Sequence, residues 1–83
     1  MENERYVRIV DGEPVEVVRY AGDAEALRSW GGVAIIVAGN LPAAFVSATE
    51  VIAGDVVVRE GDGGLHVVRP YDFHSLYRRQ PIE

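Results

Sequence analysis

The chain has no cysteine and no lysine. Without cysteine there can be no disulfide and no thiolate metal site, and a cysteine-free chain fits a reducing compartment. Without lysine, every basic side chain is one of eight arginines, set against thirteen acidic residues, for a formal net charge of −5. A net acidic surface disfavours binding to a nucleic-acid polymer. Imidazoles are also scarce: His66 and His74 are the two histidines. A zinc site needs three or four nitrogen, sulfur or carboxylate ligands. No third ligand stands at a recognisable spacing, so no metal is expected.

Long apolar runs are missing too. Residues Gly31 to Ala53 are mostly apolar, but "GNLP" at Gly39 to Pro42 interrupts them. The pieces fall short of the ~20 residues that a spanning helix needs. The opening "MENERYVRIV" is acidic and polar and lacks the apolar core of a signal peptide. No membrane association is expected, and a cytoplasmic location is.

Catalytic templates are equally absent. Ser29, Ser47 and Ser75 sit in no Gly-x-Ser-x-Gly elbow. "GDGG" at Gly61 to Gly64 joins two apolar runs and does not open a helix, so it lacks the geometry of a phosphate loop. The expectation is a protein without catalysis or cofactor. The catalytic alternative is a small hydrolase using clustered carboxylates among Asp23, Asp55 and Asp62, which would require the fold to bring two together.

What is present argues for one small domain spanning residues 1–83. A chain this short buries only roughly 60% of its unfolded surface. With disulfides and metals excluded, self-association is the remaining reinforcement, and a homo-oligomer is expected.

Turn signals divide the chain. "RYVRIV" (Arg5 to Val10) and "VEVVRY" (Val15 to Tyr20) flank an Asp-Gly pair, a strong hairpin signal. Alternation places Val7 and Ile9 on one face of the first strand, and Tyr6 and Arg8 on the other. A short helix follows, with Asp23 as N-cap, Gly31 at its C-terminal end, and Leu27 and Trp30 facing a sheet. "VAIIVA" (Val33 to Ala38) reads as a strand buried on both faces. After a turn at Gly39-Asn40, Pro42 to Val51 reads as its partner. Val56 to Glu60 and Leu65 to Arg69 form the last hairpin. Pro70 then opens a second helix with Phe73, Leu76 and Tyr77 in one stripe, closed by Arg78 and Arg79 at its negative end. The predicted order is β-β-α-β-β-β-β-α. The fold class is α+β, with antiparallel hairpins forming a curled sheet or small barrel and two short helices.

Gly-Asp pairs recur at Gly22-Asp23, Gly54-Asp55 and Gly61-Asp62. Each falls at a helix start, a strand start or a hairpin turn, where glycine supplies backbone freedom and aspartate bonds nearby amides. They read as punctuation.

The order of "PVEVVRYAGD", "AIIV", "AGDVVV" and "GGLHVVRPYDFHSLY" resembles small bacteriophage and prophage proteins of the PGDYG type. The central motif departs from that pattern: Ala53 stands for its proline, and Val56-Val57 for its tyrosine and glycine. The resemblance covers nearly the whole chain and implies a compact fold and a phage setting, with action in an infected bacterium on host processes or defence. It implies no catalytic residues.

The candidate binding site is "RPYDFHSLYRR", which gathers arginine and tyrosine in an otherwise acidic chain. Arg69, Tyr71, His74, Arg78 and Arg79 are the expected contacts, with Arg19 and Trp30 as further candidates. Helical spacing would make His74 and Arg78 neighbours. Two functions fit: capture of a host protein, or sequestration of a small anionic, nucleotide-like signal by the arginines.

Overall fold

A computed structural model describes residues 4–31, 33–39 and 41–80. Strand β1 (Glu4–Arg8) pairs antiparallel with β2 (Pro14–Arg19), with Tyr6 opposite Val15. The turn between them works as its Asp-Gly pair suggests. Gly12 adopts φ +72°, and the Asp11 carboxylate accepts from the Glu13 amide at 3.1 Å. The first strand ends earlier than expected, so Ile9 and Val10 lie beyond it and are exposed.

Helix α1 (Ala24–Arg28) starts where the cap predicts. The Asp23 carboxylate accepts from the Ala26 amide at 3.1 Å, and Gly31 follows the helix at φ +102°. Leu27 is fully buried on its inner face.

Strands β3 (Val33–Ala38), β4 (Leu41–Val46) and β5 (Thr49–Val51) form a separate three-stranded sheet in that order. Two expectations are corrected here. Val33 and Ile35 are half-buried, but Ala34, Ile36 and Val37 are exposed, so this strand is not buried on both faces. The predicted partner strand Pro42 to Val51 breaks at Ser47, which takes φ +54°, and the chain reverses to make β5. The expected turn at Gly39-Asn40 and the tail from Pro81 extend outside the described residues, at Asn40 and 81–83.

Strands β6 (Val56–Arg59) and β7 (Leu65–Val68) form the last predicted hairpin, and helix α2 (Pro70–Leu76) follows directly. The helix then stops. Tyr77–Arg79 is a strand, β8, running antiparallel to β1 with Tyr6 opposite Arg79. Arg78 and Arg79 therefore do not close a helix, and His74 and Arg78 are not helical neighbours. In "YRR" the tyrosine alone favours a strand. The open edge of β1 captures it by hydrogen bonding, continued by Gln80 N–H donating to Arg5 C=O at 3.2 Å.

The observed order is thus β-β-α-β-β-β-β-β-α-β. The larger sheet runs β7-β6-β2-β1-β8 and ends in two open edges. The curled single sheet or barrel expected from sequence is not formed: the described strands make two open sheets. The reason lies in β6, whose Val56, Val57 and Val58 are all fully buried. Val56 and Val58 face Tyr6, Val17, Phe73 and Tyr77 beneath α2. Val57 faces the opposite layer, Leu27 of α1 with Ala44 and Val46 of β4. A strand covered from both sides is the middle of a layered structure.

Gly54 sits just before β6 at φ +98°, its amide donating to Tyr20 C=O at 2.8 Å. A β-branched side chain is strained in that conformation. Gly54→Val should lower stability by about 1 kcal/mol or more, read as a shift in the denaturation midpoint without a change in slope.

Candidate functional site

The structure places the sequence-predicted contact residues on three different elements. Arg69, at the end of β7, forms an ion pair with Asp55 and is not an unoccupied cation. This pair is the main surprise of the fold. Asp55 is 1% exposed and is the buried charged residue among the described residues. Its Oδ2 also accepts from the Ile52 amide at 3.0 Å. Asp55 therefore does more than punctuate a turn. The signal was in the hairpin: Val56 lies opposite Val68, so one step further along the ladder Asp55 lies beside Arg69.

Asp23 and Asp62 keep local roles. Asp23 caps α1, and Asp62 Oδ1 accepts from the Gly64 amide at 2.8 Å. The fold does not gather the three aspartates into one site, and the three serines divide similarly. Ser29 and Ser75 donate to the carbonyls of Ala26 and Asp72, each at 2.8 Å, and Ser47 occupies the turn before β5. Among the described residues no group of three or more His, Cys, Asp or Glu side chains could hold a metal ion.

The other arginines are mostly engaged. Arg79 lies 5.9 Å from the Tyr6 ring centre and 3.4 Å from Glu4. Arg19 sits over the Phe73 ring at 5.5 Å. Arg59 stacks 4.4 Å from the ring centre of the half-buried Trp30, donates to Trp30 C=O and reaches Glu16. The Trp30 indole N–H is buried and finds no acceptor among the described residues. Tyr71, His74 and Arg78 are exposed. The aromatic stripe is only part of what spacing suggests: Phe73 and Tyr77 are buried, while Leu76 is half exposed.

A charged network occupies the turn end of the larger sheet. Arg8 contacts Asp11 at 3.0 Å and Glu60 at 2.8 Å, and Glu60 also contacts His66 at 3.2 Å. The Glu13 amide and then the Arg8 guanidinium hold the Asp11 carboxyl below its ordinary range. Burial, reinforced by Glu60, pushes the Tyr77 phenol up.

Beside this network lies an apolar recess of about 190 Å³, lined by Arg8, Ile9, Val10, Ser75, Leu76 and Tyr77. It forms because β1 ends at Arg8 while Ile9 N–H donates to Leu76 C=O at 2.9 Å, tying the hairpin turn to the end of α2. Val10 is 84% exposed and Leu76 50%. Clustered apolar side chains left in water mark an interaction surface. Sequence reading missed Ile9, Val10 and Leu76, because their periodicity assigns Ile9 to a sheet face and Leu76 to a buried stripe.

No described helix is long and apolar enough to cross a membrane. Comparison with protein-family models, with curated proteins and with solved structures finds no match.

Proposed function

We propose that this chain is a small non-enzymatic binding protein that captures a protein partner through the Ile9–Val10–Leu76 recess. The observation that carries this reading is the recess itself: apolar side chains at a turn and a helix end, with no described element covering them. A partner would insert one apolar side chain between Val10 and Leu76, rimmed by the Arg8 ion pairs. In the phage setting that the resemblance to PGDYG-type proteins implies, the partner is a host protein in the bacterial cytoplasm. The competing reading, sequestration of an anionic signal, needs arginines converging on one pocket. Here Arg69 and Arg79 lie beside carboxylates, and Arg78 stands on a different element from Arg69.

Native mass spectrometry of the protein isolated from bacterial cells tests this. A co-purifying protein is expected, and Leu76→Glu or Val10→Asp should abolish its capture. Both positions are exposed enough that stability should change by only about 0.5 kcal/mol. Arg78→Gln with Arg79→Gln should leave capture intact. The opposite pattern, capture lost in the arginine variant and kept in Leu76→Glu, would overturn the proposal.

A further inference from the structure

The four sheet edges are not alike. Strand β8 carries Arg78 and Arg79, β5 has three residues including Glu50, and β7 has four including His66. Polar side chains and short length are how sheets blunt an unpaired edge. Strand β3 has neither protection. It runs six residues, Val-Ala-Ile-Ile-Val-Ala, and β4 is its one partner among the described strands. The surrounding sequence extends the contrast. From Ser29 through Thr49 there is no charged residue, in a chain where 25% are charged.

The burial along β3 is uneven. Val33 and Ile35 pack against the layer that holds Leu27 and Trp30, and α1 lies against this end. At the other end Ile36 is 54% and Val37 66% exposed. Neighbouring strand residues point to opposite faces, so this end is covered on neither side. The hairpin overhangs the core. The molecule is elongated, 46 × 23 × 21 Å, with a radius of gyration of 13.0 Å, against about 12 Å for a compact domain of this length.

We propose that β3 pairs antiparallel with β3 of a second copy of this chain, joining two three-stranded sheets into one of six strands. Two features select a second copy over another partner. An antiparallel copy sets its covered end, with α1 and Val33, beside the bare end at Val37, so each overhang meets the other molecule's covered end. Charge selects as well. Two molecules of net charge −5 repel least across the uncharged stretch, and that stretch offers nothing to a partner chosen by opposite charge. Two-fold symmetry about an axis normal to the sheet allows registers in which a residue faces its own copy. Ile35 or Ile36 then lies on the axis.

The absence of cysteine makes the test clean. Opposed residues in an antiparallel pair have Cα atoms about 4.5 or 5.5 Å apart, within disulfide reach. One of the single variants Ile35→Cys and Ile36→Cys, the one whose residue lies on the axis, should give a disulfide-linked dimer on mild oxidation, while the other and Ser75→Cys should not. Light scattering at high micromolar concentration should give the mass of two chains. Ile36→Lys with Val37→Lys should halve that mass while keeping the native circular dichroism, with the melting temperature of wild type diluted below its dimer range. A wild-type monomer, a dimer that survives the double substitution, or a monomer bound to a different protein through β3 would each overturn the proposal. Leu76→Glu should leave the dimer intact, so this result is separable from partner capture at the recess.

Discussion

Phe73→Ala should cause the largest loss of stability of any single truncation in the core. Phe73 is fully buried and is the largest fully buried side chain among the described residues. Its ring meets Tyr6 edge-on at 4.8 Å and stacks on Tyr77 at 5.3 Å. Truncating such a side chain costs about 3–5 kcal/mol, transfer and cavity together. A domain of this length has a total stability of about 4–12 kcal/mol at typical values per residue. The loss is a large share of that total. It also releases the element that joins β7 to β8, since Phe73 is what seats α2 on the sheet. Urea titration followed by far-ultraviolet circular dichroism should show a midpoint far below that of wild type at an unchanged slope. A midpoint within experimental error of wild type would mean that α2 is dispensable to the core. Phe73→Leu, which keeps most of the volume, should lose much less.

Removing the Asp55 carboxylate should come second in size. Asp55→Ala deletes the acceptor for the Ile52 amide and the partner of Arg69 together. Breaking a buried pair by deleting one member costs about 3–5 kcal/mol. The Arg69 side chain retains 38% exposure and can be rehydrated, which brings the expected loss below that range, to about 2–3 kcal/mol. Asp55→Asn keeps an oxygen for the Ile52 amide but removes the charge facing Arg69, so it should cost less than alanine yet remain measurable. Chemical denaturation of the two variants, alone and combined with Arg69→Gln, would expose the coupling. Strict additivity in that double-mutant cycle would show that the two side chains do not interact.

The sequence by itself determined the local pieces. Asp11-Gly12, Asp23 and the Gly61 to Gly64 segment carry their turn and cap chemistry within a few residues of backbone, so they form as local rules require. Val15 to Tyr20 likewise read as a strand, and Val15 and Val17 lie on one face of it and Val18 on the other. Tertiary structure decided everything that depends on distant partners. Tyr77 to Arg79 became a strand because β1 offered an unpaired edge, although helical spacing from Phe73 argued otherwise. Ile36 and Val37 carry the same apolar side chains as a buried strand. They are exposed because the core ends before the hairpin does, and hydrophobicity cannot report what lies above a strand. Asp55 looked like its neighbours Asp23 and Asp62. The hairpin register placed Arg69 beside it, and the layers on both sides of β6 took it out of water. The recess at Ile9, Val10 and Leu76 has the same origin. Its walls come from a turn and a helix end far apart in the chain, and they meet because β8 lies against β1.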